Sequence, residues 1–126
     1  MNRPAATLYV VDDEKNITDN LLEYVEDFAE FRGRAFATAE EALAAMGEDP
    51  PHACIVDMRL PGMDGAEFVI RAKASRPDCV IVIHTGSISM NLSDDLRNAG
   101  LTEQDIFYKP TDMGMILDRI RSRLGM

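Results

Sequence analysis

The chain has 126 residues, of which 46% are hydrophobic, and its formal net charge at pH 7 is -9. This length allows one domain with one core but not two, and the hydrophobic fraction predicts a packed core rather than disorder. The acidic balance argues against binding to nucleic acid or to an anionic membrane through a basic surface. Because no apolar run could span a bilayer and the N-terminus lacks the apolar core of a signal peptide, we expect a cytoplasmic location.

Two strand–helix units are predicted before residue 50. Residues 8–11 form an apolar run that predicts a buried strand, and a weaker strand is predicted over residues 32–37. Thr38, with Glu41 three positions later, predicts a capping box at the start of the second helix. The first helix is predicted from apolar side chains at helical spacing, namely Ile17, Leu21, Val25 and Phe28.

The middle of the chain predicts the central strand and its following helix. Residues 53–56 are small or β-branched and show no polar alternation, which is typical of a strand buried on both faces. Pro61 and Gly62 then break the chain, and Asp64 opens a helix with Glu67 placed to complete the cap.

The fourth predicted strand, residues 79–83, is the most continuous apolar run of the chain. The two cysteines, Cys54 and Cys79, both lie in apolar runs predicted to be strands. Buried free thiols are therefore favoured over a disulfide or a metal-binding pair, and Cys spacing typical of a metal site is absent.

The segment after residue 87 is predicted to contain a helix with an uncertain start. Leu92, Leu96 and Ala99 could form its apolar face, with Ser93 as a late N-cap and Gly100 as the stop signal.

A last strand is predicted over residues 106–108, and a final helix is predicted to begin near Thr111, which can cap it. Strands and helices thus alternate five times, which calls for right-handed crossovers and a parallel sheet covered on both faces. The predicted fold is α/β, with a single doubly wound five-stranded parallel sheet, flavodoxin-like, of strand order 2-1-3-4-5. The final helix should bury Met113, Ile116, Leu117, Ile120 and Leu124.

Polar groups of complementary type follow four of the predicted strands. Asp12 and Asp13 follow the first, Asp57 the third, Thr85 the fourth and Lys109 the fifth. In a parallel sheet these ends lie on one edge, so the groups can converge. Carboxylates packed together raise one another's pKa unless a cation lies among them, and Mg²⁺ prefers such oxygen ligands.

This set of groups suits phosphoryl transfer, in which positioning and charge neutralisation supply most of the catalysis. Asp57 would be the nucleophile and would form an aspartyl phosphate. Lys109 would pair with one phosphoryl oxygen as a point charge, and the Thr85 hydroxyl would hydrogen-bond another. The alternative for Asp57 is a structural carboxylate that ends a strand and hydrogen-bonds the following turn.

The sequence resembles a response-regulator receiver domain of two-component signalling, the CheY-like superfamily, over nearly the whole chain. The resemblance is carried by residues 10–14 (VVDDE), residues 57–65 (DMRLPGMDG), Thr85 and the Lys109-Pro110 pair. Each motif is weak by itself, but in this order along five strand–helix units they are highly specific.

The resemblance implies that Asp57 accepts a phosphoryl group from a sensor histidine kinase or a histidine phosphotransfer protein. It also implies that Asp12, Asp13, Asp57 and the backbone carbonyl of Arg59 arrange a Mg²⁺ ion, and that the Lys109-Pro110 bond is cis. A receiver is a phosphoacceptor rather than a true enzyme, with self-phosphorylation and slow autodephosphorylation only. Its downstream partner would be a protein that the sequence does not identify.

Some positions depart from the family pattern on the face that normally reports phosphorylation. Ile106 occupies the position where receivers usually carry a switch aromatic, and Gly86 follows Thr85 where Ala is more usual. Because Ile106 has no ring, we expect the conformational change to pass through the loop around Gly86 and Ser87. His84 is interpreted as a structural strand-end histidine.

Three functional hypotheses follow. The first is a stand-alone receiver spanning residues 1–126 with no output domain. The second is a degenerate receiver that binds a partner without phosphorylation. The third is a phosphatase of the haloacid dehalogenase kind, a family expected to carry two aspartates two residues apart on the first strand. Here the residue two positions after Asp12 is Glu14, and the residue two positions after Asp13 is Lys15, so that pair is absent.

Overall fold

Five strands alternate with helices along the chain in this computed structural model, which describes residues 5–87 and 90–126. The strands are β1 (Ala6–Val11), β2 (Phe31–Phe36), β3 (Ala53–Val56), β4 (Val80–Thr85) and β5 (Ile106–Tyr108). The helices are α1 (Lys15–Glu26), α2 (Ala39–Met46), α3 (Gly65–Ser75), α4 (Asp94–Asn98) and α5 (Met113–Leu124). A single 3₁₀ turn, Glu103–Asp105, leads directly into β5.

The five strands form one parallel sheet of order β2-β1-β3-β4-β5, which confirms the predicted fold. The register aligns the carboxyl ends of the central strands: Val11 pairs with Val56, and Val56 pairs with Ile83. The residues that follow these strands therefore emerge along one edge of the sheet.

Successive residues of the central strands face opposite sides of the sheet, which divides the core in two. Tyr9 and Val11 belong to a cluster with the apolar side chains of α2, α3 and α4. Leu8 and Val10 belong to a second cluster with those of α1 and α5. Burial on both faces explains why these strands lack polar alternation in the sequence.

The predicted helix starts are confirmed at three of the five helices. Thr38, Asp64 and Ser93 each accept, through the side chain, a hydrogen bond from the amide three residues later. Because Ser93 is the cap, α4 begins at Asp94, and Leu92 lies before the helix rather than on its face, although its side chain is buried. Within residues 5–87 and 90–126, no helix combines the length and apolar character needed to cross a bilayer.

The predicted cap of the last helix is wrong by one residue. The side chain of Asp112, not Thr111, caps α5, with its carboxylate accepting a 2.7 Å hydrogen bond from the amide of Gly114. The Thr111 hydroxyl donates instead to the carbonyl of Tyr108. A carboxylate at the N-cap also offsets the positive end of the helix dipole, which favours Asp over Thr there.

The prediction of free, buried cysteines is confirmed. Cys54 lies in β3 as expected, whereas Cys79 lies just before β4 rather than inside it. β4 instead continues to Thr85, so His84 and Thr85 are part of the strand.

Candidate functional site

Backbone hydrogen bonds at the carboxyl edge of the sheet position the predicted site residues. The amide of Asp57 donates a 2.9 Å hydrogen bond to the carbonyl of the last residue of β1. The amide of Asp12 donates a 3.1 Å hydrogen bond to the carbonyl of the last residue of β2. On the other side, the amide of Lys109 donates to the carbonyl of Thr85 at 2.7 Å. The sheet ladder thus continues one bond past the strands and fixes the main chain beneath the site.

Three carboxylates converge at this edge, as the sequence predicts. Asp12, Asp13 and Asp57 each offer an oxygen that lies within 4.8 Å of those of the other two. Asp12 and Asp57 are buried, whereas Asp13 is exposed to solvent. A compact set of carboxylate oxygens with one open side is the chemistry that a hard divalent cation prefers, so these residues fit a metal ion.

Lys109 is the positive group nearest this cluster. Its ammonium lies 2.8 Å from Asp12 Oδ2, 3.4 Å from Asp57 Oδ2 and 3.6 Å from Glu14 Oε1. Burial opposes its charge, but the hydrogen bond to Asp12 and the charges of the carboxylates raise the pKa of Lys109 above its ordinary value. Lys109 therefore remains a cation that links Asp12 to Asp57. The peptide bond that follows it, Lys109-Pro110, is cis, as the resemblance implies.

Asp57 is held loosely for a buried carboxylate. Oδ1 accepts from the amide of Arg59 at 3.3 Å and Oδ2 from Lys109 at 3.4 Å, both long for charged hydrogen bonds. Burial, followed by the neighbouring charge of Asp12, raises the pKa of Asp57, while Lys109 and the Arg59 amide act against this rise. Weak partners leave the Asp57 oxygens available for reaction.

Thr85 is completely buried at the end of β4. Its hydroxyl oxygen accepts a 3.2 Å hydrogen bond from the amide of Ser87, so the hydroxyl hydrogen is not used in that bond. The switch role expected of Gly86 concerns a change of conformation and stays a prediction. In the conformation described, its φ is not positive, and a Cβ built there would meet no atom of the described residues within 4 Å.

The predicted output residues are arranged differently from the family pattern. Ile106 is half-buried against the core on the α2–α4 face, and it brings no ring to that position. Tyr108, two residues later and hence on the same face of β5, pairs with Thr85 and accepts a hydrogen bond from the amide of Met90. Sequence reasoning missed Tyr108, although its spacing of two from Ile106 was a usable signal. Ile88, in the same predicted output segment, lies outside the described residues.

Two further residues at the site were not predicted to act there. Glu14 supplies the third carboxylate around Lys109. His84 is buried, and neither ring nitrogen has a hydrogen-bond partner among the described residues. Burial and the nearby charge of Lys109 lower the pKa of His84 to about 4, so its ring is neutral at pH 7. Both residues line a cavity of about 420 Å³ beside Lys109.

Comparison with known proteins gives one consistent result. Residues 8–121 match the family model described as the response regulator receiver domain. The chain is 31% identical over 124 residues to the hydrogenase transcriptional regulatory protein HoxA of Cupriavidus necator, covering 96% of this chain but 24% of that protein. It therefore spans only about a quarter of that relative.

Two similarities extend over whole chains. Sporulation initiation phosphotransferase F of Bacillus subtilis is 27% identical over 121 residues, which is 94% of each protein. The solved structure of a CheY-like response regulator receiver domain protein from Methanospirillum hungatei is 29% identical, with a TM-score of 0.78, and covers 96% of this chain and 94% of its own.

Proposed function

Because this chain belongs to the response regulator receiver domain family of two-component systems, we propose that it is phosphorylated on Asp57 and signals through the conformational change that follows. The observation that carries this proposal is that the Lys109 ammonium contacts both the buried Asp12 and Asp57 at the carboxyl edge of the sheet. The domain is a signalling module, and its own chemistry would be limited to self-phosphorylation and slow autodephosphorylation.

In the proposed reaction, an Asp57 carboxylate oxygen attacks the phosphorus of a phosphohistidine on a sensor histidine kinase or a histidine phosphotransfer protein. The new O–P bond forms as the P–N bond breaks, and its electron pair returns to the imidazole nitrogen. Lys109, 3.4 Å from Asp57, is placed to offset charge on the transferred group. The Thr85 hydroxyl has a hydrogen to donate to another phosphoryl oxygen.

The donor set supports a Mg²⁺ requirement. Asp12, Asp13 and Asp57 would hold the ion, and the resemblance to receiver domains implies the carbonyl of Arg59 as a further ligand. Bound there, Mg²⁺ would neutralise negative charge on the phosphoryl oxygens.

The proposal also covers partners and location. The downstream partner would be a protein, since a net charge of -9 disfavours direct contact with nucleic acid or an anionic membrane. The two free cysteines suit a reducing, cytoplasmic compartment. The receiver domain is proposed to span residues 1–126, of which the family model matches 8–121.

Incubation with acetyl phosphate and Mg²⁺, followed by intact mass measurement, tests the proposal. The wild type should gain one phosphoryl group and Asp57→Asn none. Asp64→Asn is the matched control, because it makes the same change in the same loop and Asn also caps helices. It should be phosphorylated like the wild type.

Two other results would overturn the proposal. A folded wild type that stays unmodified would favour a phosphorylation-independent interaction module. Sustained turnover of a simple phosphate ester would favour the phosphatase hypothesis.

A further inference from the structure

A pair of thiols lies in the core on one face of the sheet, away from the proposed phosphorylation site. Cys54 is in β3, Cys79 is in the turn before β4, and their Sγ atoms are 3.7 Å apart. Both side chains belong to the core cluster on the α2–α4 face. At this distance one thiol can donate a hydrogen bond to the other, so the two sulfurs already face each other.

The two thiols differ in access. Cys79 lines a cavity of about 510 Å³ near the amino-terminal edge of the sheet, together with His52, Arg76, Pro77 and Leu124. Cys54 is not among the residues lining that cavity, and its exposed fraction is 0%. Cys79 is also buried, at 2% exposed, so a small reagent in this cavity would approach the pair from the Cys79 side.

The charges around the two thiols also favour reaction at Cys79 before Cys54. The Lys73 ammonium donates to the carbonyls of Pro77 at 2.7 Å and Cys79 at 2.8 Å, which brings a positive charge close to this thiol. The hydrogen bond from Cys54 lowers the pKa of Cys79, burial opposes this and Lys73 supports it. Burial raises the pKa of the Cys54 thiol. Because the thiolate is the reactive form, the Lys73 charge beside Cys79 favours reaction at this sulfur.

We propose that Cys54 and Cys79 form a peroxide-sensitive dithiol, in which Cys79 is oxidised first and Cys54 then closes a disulfide. The Cys79 thiolate attacks one oxygen of the hydroperoxide, the O–O bond breaks, and the departing hydroxide takes up the thiol proton as water. The Cys54 sulfur then attacks the resulting sulfenic acid, the S–S bond forms, the S–O bond breaks, and a second water leaves with the Cys54 proton. Two thiols and one peroxide thus give one disulfide and two waters.

Formation of the disulfide requires the two sulfur atoms to move closer together. They must move from 3.7 Å to the disulfide length of about 2.05 Å. Cys79 precedes β4 and is not itself part of the β3–β4 ladder. Its amide donates to the carbonyl of Arg76 and its carbonyl accepts from Lys73, so these two bonds would have to adjust as the sulfurs approach. In a reducing compartment such a bond would be transient, as is typical of redox-sensing cysteines.

Treatment of the purified, reduced chain with hydrogen peroxide tests this proposal. After blocking of free thiols, a non-reducing tryptic digest should link the peptide of residues 35–59, which holds Cys54, to that of residues 74–97, which holds Cys79. Dithiothreitol should restore both thiols. Mapping by peptide is necessary because the eight methionines also take up oxygen.

Single variants separate the two roles. In Cys54→Ala, Cys79 should accumulate as a sulfenic acid that dimedone traps, whereas in Cys79→Ala, Cys54 should remain a thiol. Asp57→Asn should form the disulfide like the wild type, so the result is independent of phosphorylation. The proposal is overturned if wild-type protein keeps both thiols under peroxide, or if it takes up oxygen on Cys79 without linking the two peptides.

Discussion

Tyr108 lies directly opposite Thr85 in the pairing of β4 with β5, and its hydroxyl accepts a 3.3 Å hydrogen bond from the amide of Met90. One aromatic side chain thus connects the strand that carries Thr85 to the segment leading into α4. Because Ile106 supplies no ring, Tyr108 is the aromatic of β5 placed to sense a movement of Thr85.

The first prediction follows from this contact. With beryllofluoride as a phosphoryl mimic, hydrogen exchange should change mainly over residues 85–100. Tyr108→Phe should reduce the response of residues 90–96, since it removes only the acceptor of the Met90 amide. Tyr24→Phe, the same change on α1, should respond like the wild type. A response confined to residues 106–108, with 86–96 silent, would show that this segment does not carry the signal.

The second prediction concerns stability without metal. The sequence suggests that removing either Asp12 or Asp13 relieves repulsion, but the structure distinguishes them. Asp12 is buried and pairs with Lys109 at 2.8 Å, whereas Asp13 is exposed. In the presence of a metal chelator, Asp13→Ala should keep or raise the melting temperature of the protein. Asp12→Ala should lower the unfolding free energy by about 1.5–3 kcal/mol, the contribution of a hydrogen bond to a charged group. Equal effects of the two substitutions in thermal melts would contradict this assignment.

The third prediction is a pH dependence at Asp57. Burial and Asp12 raise the pKa of Asp57 in the folded state, so the folded protein binds this proton more tightly than the unfolded chain. Wild-type stability from this group is therefore present at low pH and is lost as the pH rises through the folded pKa. Asp57→Asn does not titrate, so its stability relative to the wild type should increase as the pH rises above about 4, the ordinary pKa of an Asp carboxyl. Urea unfolding of both proteins in chelator measures this difference, and a constant or falling difference would exclude the burial argument.

The fourth prediction concerns Mg²⁺ itself. Asp13→Asn should weaken Mg²⁺ binding roughly tenfold, which corresponds to about 1.4 kcal/mol, because one charged ligand of the cluster becomes neutral. Phosphorylation by acetyl phosphate should slow in parallel. Asp19→Asn, which neutralises an exposed carboxylate on α1, is the control and should leave both unchanged. Titration calorimetry measures the affinities; an unaltered value for Asp13→Asn would place the ion elsewhere.

Much of the architecture was predictable because local and global signals agree. Apolar runs without alternation gave the strands, and the side chains of Thr38, Asp64 and Ser93 marked three helix starts. The convergence of Asp12 with Asp57 and Lys109 followed from the common edge of a parallel sheet.

Sequence reasoning failed where two side chains could fill the same role and only their distances to neighbouring residues decide between them. It could not tell that Lys109 binds Asp12 more closely than Asp57, since strand order gives proximity but not the position of a flexible side chain. Thr111 and Asp112 are both good N-caps, and sequence reasoning did not foresee that the Thr111 hydroxyl donates to the carbonyl of Tyr108 instead.

The backbone bonds made by the amides of Asp12, Asp57 and Lys109 have an evolutionary consequence. Because the main chain itself holds these positions, a substitution can remove the chemistry of a side chain without removing its support. Descendants of such a domain could lose the phosphoacceptor through a single codon change and keep the shape that partners recognise. This scaffold therefore allows signalling by phosphorylation and signalling by shape alone to be exchanged in small genetic steps.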